Sequence, residues 1–180
     1  CDEHARPADN TLCSGAGHGI DQQGRPRENR GGEASDAGRW RLEHELGSGG
    51  MADVYAARTS SGEQAAVKLL RRELCSDPMV LARFRREADI AGSIGHAGIV
   101  RVFDQGTTED GRPFIAMELL RGHTLGELAD RPAGLEPGVL LGYVDQLLAA
   151  LASAHERGIV HRDLKPANLF VTHRPDGSPL

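Results

Sequence analysis

The sequence predicts an α+β fold in which a strand-rich first half is followed by a helix-rich second half. Apolar and charged residues alternate from Trp40 to Leu46, which is the period of a half-buried strand, and the longest apolar stripe at helical spacing comes after residue 136. A chain of 180 residues is long enough for one domain with its own core and too short to expect two. We therefore expect one domain built from two unlike parts.

The first part is predicted to contain three strands, at about 40–46, 54–58 and 64–70. Glycines interrupt the apolar pattern between the first two strands, so they occupy the bend of a hairpin. Asp77 and Pro78 then give a helix start, with Asp as the cap and Pro at the first helical position, and an apolar stripe continues to about Ile94. The predicted order is strand, strand, strand, helix.

Two more strands, at about 100–105 and 114–118, are predicted before the helical half. Thr124 begins a short helix and Pro137 begins a long one, and a short strand is predicted at 169–171. The apolar face of the long helix consists of Leu140, Val144, Leu147, Leu148 and Leu151.

The charge and composition argue against several classes of function. A formal net charge of -5 disfavours a nucleic-acid-binding or membrane-surface protein, because such partners select for a cationic face. Three unevenly spaced cysteines, Cys1, Cys13 and Cys75, do not form a disulfide framework, which favours a reducing, cytoplasmic environment. We also expect no membrane-spanning segment, because no apolar run approaches the roughly 20 residues that cross a bilayer.

Residues 1–38 are predicted to be disordered, and the domain to occupy 39–180. The first segment is rich in polar residues and Gly, so it cannot bury enough apolar surface to offset the entropy of ordering. An alternative is an N-terminal metal module, although the spacing matches no common zinc pattern and no folded support surrounds it. The residues that would form it are Cys1, His4, Cys13 and His18.

The segment 47–54 has the spacing GxGxxA followed by Val, which lets backbone amides approach phosphate oxygens. A dinucleotide-binding loop would lead into a helix with an acidic residue about 20 positions on, whereas Val67 stands near that position. A Walker-type loop needs Lys directly after the last glycine, where Met51 stands. A flexible hairpin tip is the plain alternative.

A lysine in an apolar strand and a glutamate on an apolar helix face predict an ion pair. Lys68 follows three small or branched apolar residues, which is a costly place for a cation without a partner. Glu87 comes three residues after Phe84 and four before Ala91, so it points from the apolar stripe toward the sheet. The alternatives are a solvated edge lysine and a surface glutamate.

The string HRDLKPAN at 161–168 is the most specific pattern in the chain. Phosphoryl transfer needs a carboxylate that takes a proton from the acceptor hydroxyl, a cation beside the transferred group, and metal ligands. Asp163, Lys165 and Asn168 can supply these. The alternative is a chance polar loop that caps the preceding helix.

Taken in order, these segments resemble the glycine-rich loop, the strand lysine, the helix C glutamate and the catalytic loop of protein kinases. Lys165 and Pro166 are similar to the serine/threonine class, and the segment 49–54 most resembles the bacterial, eukaryotic-like (Hanks-type) serine/threonine kinases. The resemblance covers about Trp40 to the end. It implies a protein-kinase-like fold, with a five-stranded antiparallel N-terminal lobe and helix C to about residue 120, then a truncated, mainly helical C-terminal lobe.

The resemblance implies transfer of the γ-phosphate of ATP, with Mg²⁺, to Ser or Thr hydroxyls of proteins, this protein included, in bacterial signalling. Asp163 would be the base, Lys165 would contact the γ-phosphate and Asn168 would bind Mg²⁺. Lys68, held by Glu87, would contact the α- and β-phosphates. No nucleic acid or membrane contact is expected within this segment. The other nucleotide-binding positions that the resemblance implies are Leu46, Gly47, Ser48, Gly49, Gly50, Val54, Ala66, Met117, Glu118, Leu120 and Phe170.

Within that set, Val54 and Ala66 would close over the adenine and Phe170 would lie beneath it. Met117 would be the gatekeeper, and main-chain groups at 118 and 120 would bond the adenine edge. The plain alternative is that these residues are simply core.

Two departures from the family pattern affect the expected activity. Ala52 replaces the third glycine, and no DFG, activation loop or APE occurs before Leu180. We therefore expect this chain alone to transfer little phosphate. A catalytically inactive, nucleotide-binding or scaffolding pseudokinase is the alternative function, and the resemblance leaves room for a membrane anchor in the full-length protein.

Overall fold

The structure, a computed structural model, describes residues 36–172. The predicted disorder of 1–38 and the candidate metal residues Cys1, His4, Cys13 and His18 therefore lie outside the described residues, except for 36–38. Ala37 exchanges two backbone hydrogen bonds with Trp40, at 2.9 and 3.0 Å, and is fully buried. Within the described residues, packing is thus present from Ala37, two residues before the predicted domain start.

The first part of the chain forms one five-stranded antiparallel sheet with the strand order β1-β2-β3-β5-β4. This confirms the predicted α+β class and the five-stranded sheet. The strands are β1 (Arg41–Ser48), β2 (Ala52–Arg58), β3 (Gln64–Leu70), β4 (Val102–Thr107) and β5 (Pro113–Met117).

The helix α1 (Pro78–Ile94) begins and ends where the sequence predicts. The Asp77 side chain accepts hydrogen bonds from the amides of Met79 and Val80, so it satisfies two of the free N–H groups of the first turn. The helix ends at Gly95, whose φ of 62° is the left-handed conformation that glycine adopts without steric cost.

The second part contains two more helices and a two-stranded sheet. The short helix begins at its cap Thr124, as its sequence predicts, and Thr124 and Glu127 form a reciprocal capping box there. The strand β6 was not predicted, because Gly122–Thr124 contains no large apolar residue that would mark it as a strand. The elements are β6 (Gly122–Thr124), α2 (Leu125–Ala129), α3 (Pro137–His155), a 3₁₀ turn (Pro166–Asn168) and β7 (Phe170–Thr172), and β6 pairs with β7.

The five-stranded sheet has an apolar cluster on each face. Trp40, Val67, Leu69 and Phe114 belong to the outer cluster. On the other face, α1 contributes Phe84 and Ala88 to a cluster that is completed by Ala52, Leu70 and Ile115. Of β3, Ala65, Val67 and Leu69 belong to the first cluster and Leu70 to the second, in keeping with the pleat of a strand. α1 is therefore fixed against one face of the sheet.

Helix α3 corrects one expectation. By length and composition it could cross a membrane, since Asp145 is the one acidic or strongly basic residue in its 19 residues. The expectation that no apolar run approaches this length was wrong, because it gave no weight to the alanines and glycines between the leucines. The core helix of a soluble protein has the same composition, so this is weak support for a membrane span. Leu141 and Leu148 of α3 are 69% and 58% exposed.

Candidate active site

Lys68 and Glu87 form a nearly buried ion pair between β3 and α1. The Lys68 Nζ lies 2.6 Å from Glu87 Oε1, and the two side chains are 7% and 11% exposed. Glu87 is one turn after the buried Phe84, so the packing of α1 on the sheet directs its carboxylate toward β3. The structure therefore brings together the lysine and glutamate that the sequence analysis paired.

The strand register places four predicted nucleotide-binding residues on one face of the sheet. Val54 pairs with Lys68, and Ala66 pairs with Met117. Directly paired residues of antiparallel strands share a face, and so do residues two apart on one strand. Leu70 lies on the same face and packs against α1. Val54, Ala66 and Met117 thus form an apolar wall beside the Lys68 ammonium group.

The glycine-rich segment between β1 and β2 is a tight turn with an open tip. The Gly49 amide donates to the Ala52 carbonyl oxygen at 2.9 Å, and Gly47, next to Leu46 in β1, pairs with Val54. A Cβ added to Gly50 would have no atom within 4 Å. Packing therefore does not require glycine at position 50, and the space beside it is open to a ligand.

Ala52, the residue in place of the family's third glycine, belongs to β2 and is 4% exposed. It packs with Leu70, Phe84 and Ile115 in the cluster beneath α1. Alanine in place of the third glycine therefore adds apolar contact to the core. The tight turn of the segment comes before Ala52, between β1 and β2.

The segment after β5 offers a main-chain acceptor. The Glu118 amide donates to the Arg101 carbonyl oxygen at 2.9 Å, so Glu118 could meet an adenine edge only through its own carbonyl. Leu120 lies between β5 and β6, where it is half-buried. Phe170 begins β7 and pairs with Thr124, so it belongs to the smaller sheet.

The loop before β7 gathers a carboxylate, an ammonium group and an amide. The Asn168 Nδ2 donates to the Asp163 carbonyl oxygen at 2.9 Å and to its Oδ2 at 3.0 Å. The Lys165 Nζ lies 3.0 Å from the same Oδ2. The 3₁₀ turn Pro166–Asn168 brings the chain back toward Asp163 and so aims the Asn168 amide at it. These three residues are the ones that the sequence analysis selected.

Arg162, directly before Asp163, has a φ of 61°. It is the one residue other than glycine with positive φ in the part of the chain that the structure describes. Such a backbone costs of order 1–3 kcal/mol and persists where the surrounding structure imposes it. The Asp163 amide donates to the His161 carbonyl oxygen at 2.9 Å across this residue, so the loop turns sharply just before the carboxylate.

Asn168 fits a magnesium ligand. Its Oδ1 is buried and has no hydrogen-bond partner within residues 36–172. A buried acceptor without a partner is costly, and amide oxygen is a ligand that Mg²⁺ accepts. No group of three or more His, Cys, Asp or Glu that could hold a metal occurs in the same range. Mg²⁺ at this position would take its further ligands from outside residues 36–172, with water and the phosphates of a nucleotide among them.

A second ion pair, which the sequence analysis missed, lies at the glycine-rich segment. The Arg71 Nε and Nη2 lie 3.1 and 3.0 Å from Asp53 Oδ1, and the Ser48 hydroxyl donates to the same oxygen at 2.7 Å. Asp53 lies in β2, and Arg71, 18 residues later, directly follows β3. Their proximity depends on the β2–β3 register, which periodicity alone does not give.

Comparison with known proteins identifies similar chains. The family model described as "Protein kinase domain" matches residues 40–177. The serine/threonine-protein kinase Pkn3 of Myxococcus xanthus is 42% identical over 137 residues, which cover 76% of this chain and 25% of that protein. The serine/threonine-protein kinase PrkC of Bacillus subtilis is 39% identical over 138 residues, which cover 76% of this chain and 21% of that protein.

The fold is also similar to a solved structure. The PknI kinase domain of Mycobacterium tuberculosis matches with a TM-score of 0.64 and 32% sequence identity, over 78% of this chain and 58% of that domain. The chain therefore spans a quarter or less of these two curated relatives and just over half of the solved domain.

Proposed function

Because this chain belongs to the protein kinase family, and to its bacterial serine/threonine branch, we propose that it binds ATP and Mg²⁺ in a serine/threonine protein kinase. The reaction would transfer the γ-phosphate of ATP to a Ser or Thr hydroxyl of a protein. The observation that carries this proposal is the cluster at the catalytic loop, where Lys165 and Asn168 both lie 3.0 Å from Asp163 Oδ2.

The five-stranded sheet would hold the nucleotide. Val54, Ala66 and Met117 share one face and would contact the adenine ring, with the Glu118 carbonyl and the Leu120 main chain at its polar edge. Phe170 would contact the ring from the other side. The buried Lys68 would bind the α- and β-phosphates, because the Glu87 carboxylate fixes the position of its ammonium group.

The catalytic loop would carry out the proton transfer. The Asp163 carboxylate would accept the proton of the substrate hydroxyl as that oxygen attacks the γ-phosphorus. Asn168 and Lys165 hold this carboxylate in place, and the Lys165 ammonium group offsets negative charge on the transferred phosphoryl group. Asn168 would hold Mg²⁺ through Oδ1, and the metal would neutralise charge on the phosphates.

The substrates would be proteins, this protein included, and the kinase domain would act in the cytoplasm without binding nucleic acid or contacting a membrane. The formal net charge of -5 supports the exclusion of nucleic acid, because phosphate backbones are bound by cationic surfaces.

A phosphate-transfer assay tests the proposal. The protein would be prepared with its full kinase domain and incubated with γ-labelled ATP and Mg²⁺, alone and with a mixture of unstructured proteins. We expect label on Ser and Thr after acid hydrolysis, and none without Mg²⁺. Label on Tyr, or tight ATP binding without transfer to any protein, would contradict the proposed activity.

A further inference from the structure

We propose that Ser48, Asp53 and Arg71 form a clasp that positions the glycine-rich loop for ATP binding. The inference rests on the proposed function. It assigns a positioning role to two residues, Asp53 and Arg71, which need not touch the nucleotide.

The clasp converges on one carboxylate oxygen. Asp53 Oδ1 accepts hydrogen bonds from the Ser48 hydroxyl at 2.7 Å and from the Arg71 guanidinium at 3.0 and 3.1 Å. Arg71 Nη2 also donates to Ser48 Oγ. Asp53 is 19% exposed and Arg71 is 37% exposed, so solvent screens this pair less than a fully exposed one.

The clasp contacts the loop on both sides of its turn. Ser48 stands between Gly47 and Gly49 at the end of β1, and Asp53 lies opposite it in β2. The Arg71 amide donates to the Met51 carbonyl oxygen at 3.1 Å, so it also holds the residue directly before β2. One residue thus binds the loop through its side chain and through its backbone.

The clasp also fixes the loop relative to Lys68. Arg71 directly follows β3, three residues after Lys68 on the same chain. The position of the loop relative to the Lys68 ammonium group is therefore set by β3, which carries Lys68 and leads directly into Arg71. Glycines lose more conformational freedom on ordering than other residues, so a loop without these contacts would have to be ordered by ATP itself.

A direct role for Arg71 predicts a different outcome. If Arg71 bound phosphate, removing the Asp53 charge would release a cation beside the phosphates and tighten ATP binding. A clasp predicts that loss of either partner weakens binding. The sign of the Asp53→Asn effect therefore separates positioning from direct phosphate contact.

The test uses Asp53→Asn, Arg71→Gln and the double variant in the full kinase domain, with KM for ATP, kcat and Tm measured for each. We expect each single change to raise KM about tenfold, which is about 1.4 kcal/mol, with kcat within about twofold. The double variant should resemble the single variants, because they remove one unit. Ser48→Ala, which leaves the ion pair in place, should raise KM by only about threefold.

Glu43→Gln is the matched control. The Glu43 carboxylate pairs with Arg58 Nε at 3.0 Å on the same hairpin, and both side chains are at least 37% exposed. This pair lies at the end of the hairpin away from the glycines, so we expect KM to stay within about twofold.

Three results would overturn the clasp while the wild type remains an active kinase: an unchanged KM in Asp53→Asn and Arg71→Gln, a lowered KM in Asp53→Asn, or additive effects in the double variant. A wild type that neither binds nor uses ATP would instead overturn the proposed function and, with it, this inference. If Arg71→Gln fails to fold, Ser48→Ala and Asp53→Asn still decide the question through KM.

Discussion

Lys68 of β3 and Glu87 of α1, 19 residues apart in sequence, meet with Nζ 2.6 Å from Oε1 in a site where each side chain is about nine-tenths buried. A buried ion pair is a poor source of net stability, because desolvation offsets most of the attraction. Loss of one partner is costly, however, since the remaining charge stays buried. The pair is thus better explained by a ligand that needs a fixed ammonium group.

This relationship predicts the effect of Lys68→Met in the full kinase domain. Methionine keeps the aliphatic stem but cannot bind phosphates or Glu87, so we expect kcat to fall by at least about a hundredfold. The stranded Glu87 should also lower the free energy of unfolding by about 3–5 kcal/mol. The control is Lys68→Met with Glu87→Leu, which should recover stability in denaturant unfolding but not activity. Near wild-type turnover in either variant would show that Lys68 is structural.

Gly50 should affect ATP binding and not the stability of the fold. A Cβ there has no neighbour within 4 Å, so Gly50→Ala should leave Tm unchanged while raising KM for ATP by about fivefold or more, because the methyl group occupies the space where phosphate would approach.

Gly62→Ala is the opposite case and serves as the control for Gly50→Ala. Gly62 also has open space around a Cβ, but its φ of 91° is strained for alanine. We expect a loss of about 1–3 kcal/mol in the free energy of unfolding with no change in KM. If Gly50→Ala behaved like Gly62→Ala, the glycine-rich segment would be a structural turn only.

Asn168→Ala should raise the Mg²⁺ concentration needed for half-maximal transfer by about tenfold, because it removes the buried oxygen that has no partner within residues 36–172. It also removes the hydrogen bond to Asp163 Oδ2, so kcat at saturating Mg²⁺ should fall as well. Activity titrated against Mg²⁺ separates the two effects. An unchanged Mg²⁺ dependence would assign Asn168 to positioning of Asp163 alone.

Tyr55 provides a spectroscopic probe beside the clasp. Burial raises the pKa of the Tyr55 phenol, and the nearby Asp53 and Glu45 carboxylates raise it further. A raised pKa in the folded state means that Tyr55 contributes stability below its unfolded pKa, and that this contribution is lost as pH rises through the folded value. In this 180-residue sequence, Tyr143→Phe leaves Tyr55 as the remaining tyrosine. Ultraviolet titration of that variant should give a Tyr55 pKa above the usual value near 10.

Asp53→Asn should then lower the pKa of Tyr55 without restoring its ordinary value, because burial is the larger cause. An unchanged Tyr55 pKa in Asp53→Asn would mean that the Asp53 charge does not affect the phenol. An ordinary pKa in the wild type would show that Tyr55 is more exposed to water than the structure indicates.

Sequence periodicity predicted the five strands and α1 because each places apolar side chains against a core cluster, although those of β4 are only half-buried. Asp77 and Pro78 fixed the start of α1, and the position of Glu87 relative to Phe84 gave the direction of its side chain. The strand β6 was missed because Gly122–Thr124 contains no large apolar residue, so only its pairing with β7 marks it as a strand. The clasp was missed for a related reason, since Asp53 and Arg71 meet only through strand register.

Helix α3 shows a different limit of the sequence. The stripe Leu140 to Leu151 predicted its extent well, yet its exposed leucines depend on which neighbours pack against it, and periodicity does not supply them. The site residues on the five-stranded sheet could be grouped from spacing and resemblance. Their common face became visible only when the register paired Val54 with Lys68 and Ala66 with Met117.

The most direct test of the account compares the wild type and Asp163→Asn in the full kinase domain, at saturating ATP and Mg²⁺, by the rate of labelled phosphate transfer to protein. Asparagine keeps the shape of the side chain but cannot accept the proton of the substrate hydroxyl. We predict a loss of at least about a thousandfold in kcat, with ATP affinity and Tm close to wild type. Phosphate transfer by Asp163→Asn at a rate near the wild type would contradict the central claim that this carboxylate is the catalytic base.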